Sequence, residues 1–474
     1  MRLFLLLLCV GLGSSNQNTG NSDGCTAPFL LPNKPFVVVW NEPSGECGPV
    51  ELNLTEWGIV TNKDDRFGGD ELTIFYVLGD WPYFRKNGSA HNGGIPQVAN
   101  RIKHLEMAAD QINDAIPNKD FQGLGVIDFE SWRPLFGQNF DSLFIYKQRS
   151  VDLVKSRFPS WTNKTQIWNE ATREFQNAAR LFMEGTLKLA RYLRPNGKWG
   201  YYGYPRCYGV SPSRLTCSYP ATSTANDEIG WLFKNSMGLF PRIYTNPNTP
   251  LKPRAEFVRQ QVNETLRVQA KFNELYRPIM PYSMCQVRKV FFNEQDLDIS
   301  IKEPADMGAS GVVLWGSSSL FHLKDECYKL QTYIKTVLGP FVMKLTNFTT
   351  SCYRDHCSGH GRCVRKDYEA MTQQHLRENN KAACRKPSAE YADSARNPRT
   401  EYADAARKAP MENTEFAKLK FTGYDDAMRK NSLKFVNTFE DNSDRFANGK
   451  NGPYDNYVCH CLRGWGGPRC SKPV

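Results

Sequence analysis

The stretch GLGVIDFESWRPLF, residues Gly123–Phe136, passes from a short run of apolar residues into a polar and rigid segment. A run that is apolar at successive positions is typical of a strand buried on both faces, as in a parallel sheet. This strand is predicted to end at Asp128, Phe129 and Glu130. Because side chains alternate along a strand, Asp128 and Glu130 point to the same side, with α-carbons ~6.6 Å apart. The sequence therefore predicts two carboxyl groups in one small volume.

Similar β-rich runs recur along the chain, and with Leu124–Phe129 they make seven. The other six are Phe36–Trp40, Leu72–Leu78, Trp199–Tyr204, Leu239–Tyr244, Ile279–Met284 and Gly311–Trp315. Apolar residues with helical spacing lie between several of them, notably over Val98–Ile116 and Ile167–Phe182. This alternation predicts an α/β fold in which helices cover a parallel sheet. About seven strands in about 280 residues favour a closed or nearly closed (β/α) barrel.

The paired carboxyls at the end of this strand suggest a chemistry. Crowded like charges in a partly dry site raise the pKa of one member, so one carboxyl holds a proton near neutral pH while the other is ionised. Glycosidic cleavage uses this division, with an acid for the leaving oxygen and a negative group for the positive charge on the sugar. The alternative is structural, with both acids paired to Arg133.

The N-terminal residues are typical of a secretory signal peptide over residues 1–15. Arg2 gives a positive start, Leu3–Leu12 an apolar stretch, and Gly13–Ser15 small residues suited to cleavage. No later run reaches the roughly 18 apolar residues that a membrane-spanning helix needs. We therefore expect a secreted, extracellular protein with no membrane span. The formal charge of +11 suggests an anionic partner, although surface Lys and Arg also serve solubility.

Glycans and disulfides are both expected in that compartment. Five Asn-x-Ser/Thr sites are predicted to carry glycans: Asn53, Asn87, Asn163, Asn263 and Asn347. The chain has fourteen cysteines, of which Cys9 leaves with the signal peptide. Thirteen remain, so at least one stays unpaired or bridges elsewhere.

The sequence changes character after Phe341, where the predicted barrel domain at residues 26–345 gives way to residues 348–474. Six cysteines there have the spacing C-x4-C-x5-C, a long gap, and C-x-C-x8-C. This pattern resembles an EGF-like module, a small fold held together by disulfides. His356 and His360 suggest a zinc site as the alternative, but the oxidising compartment favours disulfides.

A polar insert at about residues 365–456 interrupts this module. Residues 365–458 contain 17 Lys and Arg against 15 Asp and Glu, so most of the positive charge belongs to the barrel. EYADSAR at Glu390–Arg396 is echoed by EYADAAR at Glu401–Arg407, but two copies do not establish a repeat array. We expect a solvated, largely disordered segment.

Six blocks of the sequence resemble the hyaluronidase family, glycoside hydrolase family 56, and occur in the family's order. They are NGGIPQ at Asn92–Gln97, the stretch Gly123–Phe136, WGYYGYPRCY at Trp199–Tyr208, GVVLW at Gly311–Trp315, LGPF at Leu338–Phe341 and CSGHGRCV at Cys357–Val364. The resemblance implies a distorted (β/α) barrel with a long groove and an EGF-like tail. It also implies a retaining mechanism in which the N-acetyl oxygen of the substrate attacks the anomeric carbon. No protein nucleophile, cofactor or metal is then expected.

The resemblance implies roles for individual residues. Glu130 would be the general acid and then the base, and Asp128 would orient the acetamido group and stabilise its charge. Tyr202 and Tyr244 would hydrogen-bond around that group. Trp315 would stack against the sugar, because the C–H faces of sugars suit aromatic walls. The alternative role of these three aromatic residues is core packing.

Four further residues are expected to bind substrate: Arg133, Tyr282, Gln261 and Arg288. Gln261 stands where the family usually has an arginine. The aspartate that usually follows the equivalent of Tyr282 is missing, with Arg288 nearest. Loss of an arginine removes a charge-assisted contact to a uronate, while an added arginine can supply another. Arg206 stands where an aspartate is common and makes the groove more positive.

The resemblance also implies a set of disulfides. They are Cys47–Cys327, Cys207–Cys217, Cys352–Cys363, Cys357–Cys459 and Cys461–Cys470. Cys25, Cys285 and Cys384 then have no inherited partners.

The leading interpretation is an endo-β-N-acetylhexosaminidase of the hyaluronoglucosaminidase type. Its substrate would be an acidic glycosaminoglycan, hyaluronan first and chondroitin second. One alternative is a glycosaminoglycan-binding protein of the same fold that has lost turnover. Another makes the tail and insert an adhesion module with the barrel as its carrier.

Other classes fit the sequence poorly. No G-x-S-x-G, H-E-x-x-H or GxxxxGK[ST] motif is present. A nucleic-acid partner is not expected, because the chain has no basic cluster or recognised binding motif. We expect a monomer. The basic pI of 8.9 and the tail favour an extracellular enzyme, a venom protein included, over a lysosomal one.

Overall fold

The computed structural model describes residues 29–48, 50–210, 215–272, 277–317, 323–368, 452–462 and 465–473. The predicted signal peptide, Cys25, Cys384 and the central part of the insert with its repeated heptapeptide lie outside these residues. No helix in the described ranges is long and apolar enough to cross a membrane.

The described residues contain short strands and helices of widely varying length. The strands are β1 (Val37–Asn41), β2 (Ile59–Val60), β3 (Leu72–Phe75), β4 (Tyr83–Phe84), β5 (Ala90–His91), β6 (Leu124–Ile127), β7 (Lys198–Tyr201), β8 (Tyr282–Ser283), β9 (Gln286–Val287), β10 (Val290–Phe291), β11 (Gly311–Trp315), β12 (Gly361–Arg365), β13 (Tyr457–Cys461), β14 (Trp465–Gly466) and β15 (Lys472–Pro473). The α-helices are α1 (Arg101–Ala115), α2 (Phe144–Arg157), α3 (Lys164–Leu193), α4 (Ala221–Glu228), α5 (Gly230–Asn235), α6 (Leu251–Phe272), α7 (Glu294–Leu297), α8 (Glu303–Asp306), α9 (Lys324–Tyr333) and α10 (Gly339–Ser351).

Two parallel sheets form the centre of the fold. One has the strand order β2-β1-β11-β8 and the other the order β3-β6-β7. Isolated parallel bridges connect them, from Tyr202 after β7 to Phe240, and from Leu239 to Ile279 before β8. Because all these pairs are parallel, the carboxyl ends of the strands lie along one edge.

Six of the seven predicted runs contain a regular strand. The run Leu239–Tyr244 forms isolated bridges instead, because Pro241 has no N–H group for a ladder. In Ile279–Met284 the regular strand is shortened to β8, which begins directly after Pro281. The strand β2, with two residues, was too short to be predicted from an apolar run.

Alternation along β6 divides its side chains between two apolar clusters. Leu124 and Val126 pack in a cluster of inward-facing strand residues, while Ile127 and Phe129 join the larger cluster that contains the helices. Asp128 continues the alternation of Leu124 and Val126. Its carboxyl group therefore lies on the inner side, where the strand ends.

Both long apolar patterns form helices, and the pattern at Val98–Ile116 buries Leu105, Ala109 and Ile112 but leaves Val98 and Ile102 exposed. Asn100 caps α1 by accepting a hydrogen bond from the backbone N–H of Lys103, and Asn163 caps α3 in the same way for Thr165 and Gln166. The apolar residues that were predicted for the inner face of α3 are buried.

The predicted glycosylation sites differ in exposure. The side chains of Asn53, Asn87, Asn163 and Asn347 are exposed, whereas Asn263 lies within α6 and is partly buried.

The tail contains an antiparallel pair of strands, β12 and β13, that places Gly361 opposite Cys461. Tyr368, in the first residues of the predicted insert, is buried against the barrel and its hydroxyl group donates to Glu303 at 2.7 Å. The insert therefore begins with an ordered, packed segment. Arg362 is also buried and donates to the carbonyl oxygen of Pro35 at 2.8 Å.

The disulfides of the described residues are the five pairs that the resemblance implied. They are Cys47–Cys327, Cys207–Cys217, Cys352–Cys363, Cys357–Cys459 and Cys461–Cys470. Cys285 is a free, buried thiol. In the described part of the chain, Cys352, Cys357 and Cys363 are also the only group with metal-ligand spacing, and disulfide bonding occupies all three sulfur atoms.

Candidate active site

The two predicted carboxyl groups lie where β6 ends. The backbone N–H of Asp128 donates to the carbonyl oxygen of Phe75 at 2.9 Å, which extends the β3–β6 pairing by one residue. Phe129 is buried on the helix side and stacks on Trp81, with ring centroids 4.0 Å apart. Asp128 is partly buried and Glu130 is exposed. Anchoring of Phe129 thus fixes both carboxyl groups on the opposite, inner side.

The environment of Asp128 favours its protonated form. The pKa of this carboxyl is raised from 3.8 to about 8. Burial is the largest cause and the charge of Glu130 adds to it, while Arg206 and Arg242 act in the opposite direction. The Oδ1 atom of Asp128 is buried and has no hydrogen-bond partner among the described residues. The pair therefore holds a proton near neutral pH, and in the unliganded protein that proton resides on Asp128.

The structural alternative for the two acids was an ion pair with Arg133. Among the described residues neither carboxyl forms an ion pair with this arginine, whose guanidinium donates to the carbonyl oxygen of Gln138 at 3.5 Å and lies 5.5 Å from the ring centre of Phe140. The described residues therefore do not show the ion pair with Arg133 that the structural alternative required.

Aromatic side chains form one wall beside the carboxyl groups. Tyr202 lies 6.3 Å from Tyr244 between ring centroids, and Tyr244 stacks on Trp315 at 6.0 Å. Burial raises the pKa of both phenols, so their hydroxyl groups stay protonated and able to donate hydrogen bonds. Tyr244 and Trp315 are partly buried, whereas Tyr202 is 9% exposed.

Tyr76 belongs to this wall and was missed by the sequence analysis. Its hydroxyl oxygen accepts a hydrogen bond from Nε1 of Trp315 at 2.7 Å. Burial raises the pKa of this phenol, and the charges of Asp128 and Glu130 raise it further, so Tyr76 lies near both carboxyl groups. The strand register reveals this position. Phe75 of β3 pairs with Ile127 of β6, so the next residues, Tyr76 and Asp128, lie beside each other at the ends of the two strands.

Tyr282 and Gln261 occupy different places from those expected for substrate contacts. Tyr282 is fully buried beneath Tyr202, with ring centroids 5.1 Å apart, and its hydroxyl group donates to Asn41 at 3.4 Å. Gln261 is 2% exposed on α6, and its amide bonds to the backbone of the segment after β7. Both side chains are buried and engaged in internal contacts, so their direct contact with substrate stays a prediction. Arg288 is exposed between β9 and β10.

The arginines nearest to Gln261 in the sequence do not supply the missing groove arginine. Arg254 forms a buried ion pair with Asp296 at 2.6 Å. Arg259 pairs with Glu303. Three other arginines lie near the carboxyl pair. Each interacts electrostatically with Asp128 or Glu130, and they are Arg133, Arg206 and Arg242.

Comparison with known proteins identifies relatives of this chain. The family model described as hyaluronidase, glycoside hydrolase family 56, matches residues 25–417. Hyaluronidase-1 of Rattus norvegicus is 38% identical over 355 residues, which cover 73% of this chain and 79% of the relative. Hyaluronidase conohyal-P1 of Conus purpurascens is 37% identical over 365 residues, covering 76% and 77%.

Solved structures give the same result. Bee venom hyaluronidase matches with a TM-score of 0.61 and 36% identity over 65% of this chain and 99% of that one. Its complex with a hyaluronic acid tetramer matches with a TM-score of 0.62, at the same identity and coverage. The shared fold is a TIM-like barrel. The chain belongs to the hyaluronidase family, family 56 of the glycoside hydrolases.

Proposed function

We propose that this protein is an endo-β-N-acetylhexosaminidase that hydrolyses hyaluronan, with chondroitin as a second substrate. The observation that carries the proposal is the placement of Asp128 and Glu130 together at the carboxyl end of β6, beside a wall of tyrosine and tryptophan rings. Relatives that match most of the chain are named hyaluronidases, and one solved relative is described in complex with a hyaluronic acid tetramer.

The proposed reaction retains the configuration of the anomeric carbon. Glu130 donates a proton to the glycosidic oxygen while the acetamido oxygen of the substrate attacks the anomeric carbon and forms an oxazolinium ion. Glu130 then takes a proton from water, which opens the oxazolinium ring. The exposure of Glu130 supports this role, since both the leaving sugar and the water must reach it.

Asp128 holds the acetamido group in this mechanism. Its unpartnered, buried Oδ1 is placed to accept the N–H of that group. A hydrogen bond from an N–H favours the ionised carboxyl, so substrate binding lowers the pKa of Asp128. We infer that the proton moves from Asp128 in the free protein to Glu130 in the complex. Glu130 is then protonated, and able to act as the general acid, only when substrate is bound.

The aromatic residues orient the sugar. Tyr202 and Tyr244 keep their protons, because burial raises the pKa of both phenols, and they hydrogen-bond around the acetamido oxygen. Trp315, fixed by its hydrogen bond to Tyr76, stacks against the C–H face of the sugar. Arg133 and the other arginines beside the pair attract the acidic polymer.

We also propose a finer architecture for the barrel and the tail. The two parallel sheets and the bridges between them suit a distorted barrel of about seven strands. The three disulfides of the tail and its β12–β13 ribbon suit an EGF-like module interrupted by the insert. Secretion, glycosylation at the five sequons and a monomeric state complete the proposal. Four of the five asparagines are exposed, which fits glycan attachment.

Digestion of purified polymers tests the function. The protein is incubated separately with hyaluronan and with chondroitin, and product size is followed by gel electrophoresis. Stepwise shortening of hyaluronan to oligosaccharides with N-acetylhexosamine at the new reducing end is expected. If both polymers keep their length while the protein binds them, the protein is a glycosaminoglycan-binding member of the family instead.

A further inference from the structure

The segment that follows β7 contains Arg206, and the backbone around this residue is fixed by hydrogen bonds from two side chains. Asn226 accepts a hydrogen bond from the N–H of Arg206 at 3.2 Å and donates to its carbonyl oxygen at 2.9 Å. Gln261 donates to the carbonyl oxygen of Pro205 at 3.2 Å and accepts from the N–H of Cys207 at 3.0 Å. Two buried amide side chains thus clamp residue 206 and both of its neighbours.

The side chain of Arg206 extends from this clamp toward the candidate active site. Its guanidinium carbon lies 5.4 Å from the ring centre of Tyr204. Its Nη2 atom lies 3.5 Å from the position that a Cβ would take at Gly203, the residue after Tyr202. It also interacts electrostatically with Asp128. Arg206 therefore lies against the chain that carries the catalytic tyrosine.

The hydrogen-bonding capacity of Arg206 is not used up inside the protein. Its Nε atom is buried and has no hydrogen-bond partner among the described residues, and the side chain forms no ion pair there. A buried, unpaired donor on a guanidinium is costly unless a ligand satisfies it. This feature points to an acceptor that arrives from outside.

The surrounding charge selects an anion. Arg133 stands close enough to both Arg206 and Arg242 for their positive charges to lower its pKa. The nearby carboxyl groups are Asp128 and Glu130, and one of them carries a proton near neutral pH. The site therefore has an excess of positive charge, which a carboxylate would balance.

We propose that Arg206 binds the carboxylate of the glucuronate that flanks the bond being cleaved, and that Gln261 is the residue that positions it. This inference rests on the proposed function, since it concerns the same groove. The arginine expected at position 261 is absent, and the amide found there clamps the backbone around a different arginine. The charge-assisted contact between an arginine and the uronate carboxylate, expected from position 261 on α6, is then made by Arg206 in the segment after β7.

Binding of native and carboxyl-reduced hyaluronan tests this role. In the reduced polymer each uronate carboxyl is a primary alcohol, so the sugar rings remain while the charge is lost. Dissociation constants are measured by calorimetry in a Glu130→Gln background, where turnover does not interfere. Arg206→Gln is compared with Arg206→Lys and with Arg173→Gln, an exposed arginine of α3 that pairs with Glu170. The clamp uses only main-chain atoms of residue 206, so these replacements leave it in place.

We expect the parent protein to bind native hyaluronan about tenfold more tightly than the reduced polymer, the effect of about one charge-assisted hydrogen bond. Arg206→Gln should lose most of that preference, Arg206→Lys should keep part of it, and Arg173→Gln should keep all of it. An unchanged preference in Arg206→Gln, or no preference in the parent protein, overturns the inference. Cleavage of hyaluronan by the unaltered protein tests the proposed function separately.

Discussion

At the scale of single residues, the sequence was sufficient to find the carboxyl pair but not to locate its proton. Strand alternation alone places Asp128 and Glu130 on one side. Which of them carries the proton depends on burial, which raises the pKa of Asp128, and on the charges of residues far along the chain such as Arg206 and Arg242, which lower it. Tyr76 was missed for the same reason, because its role appears only once β3 is paired with β6.

The proton on Asp128 predicts an alkaline limit to activity. Because the raised pKa of about 8 belongs to the unliganded protein, kcat/KM for hyaluronan should fall about tenfold per pH unit above about pH 8, where the pair loses its shared proton. Initial rates between pH 6 and pH 10 at low substrate concentration measure this limb. A profile that stays level to pH 10 would show that the pair does not need this proton.

At the scale of elements, the apolar runs were recognised correctly where a strand is regular and less well where proline interrupts it. Pro241 and Pro281 lack the N–H groups that a ladder requires, so their runs become bridges and a shortened strand. The end of β1 holds a feature that no local pattern revealed. Glu42 follows this strand and is buried, with its carboxylate oxygens accepting from Cys285 at 3.0 Å and Gln286 at 3.3 Å.

Glu42 predicts a pH dependence of stability. Burial raises its pKa from 4.5 to about 7, so the folded protein holds this proton more tightly than the unfolded chain. The resulting stability is fully present below about pH 4.5 and is lost as pH rises through about 7, by at most about 3 kcal/mol. Glu42→Gln cannot ionise and should remove this part of the decline.

Urea unfolding at pH 5, 7 and 8.5 measures the effect. The matched control is Glu51→Gln, which changes an exposed carboxyl and should leave the wild-type pH dependence in place. If Glu42→Gln and the wild type lose equal stability between pH 5 and pH 8.5, the buried carboxyl does not titrate as described.

At the scale of the whole molecule, the succession of strands and helices predicted the barrel class, while its closure depends on distant contacts. β1 pairs with β11, and Cys47 is bonded to Cys327 across a sequence separation of 280 residues. Local periodicity contains no information on such pairs; the family resemblance implied the disulfide, and the strand pairing appears only in the structure. At the start of the insert, the polar composition predicted disorder, but the structure shows a packed residue. Tyr368 packs on the barrel because its hydroxyl group can donate a hydrogen bond to Glu303.

The central claim at all three scales concerns the carboxyl pair at the end of β6. The most direct test is the rate at which Glu130→Gln shortens hyaluronan, with binding measured in parallel and the exposed Glu56→Gln as control. We expect a loss of at least about a hundredfold in kcat, since the amide cannot donate or accept the proton in the same way, with hyaluronan affinity changed by less than about threefold. Shortening of hyaluronan by the folded Glu130→Gln protein at the wild-type rate would contradict the assignment of Glu130 as the general acid.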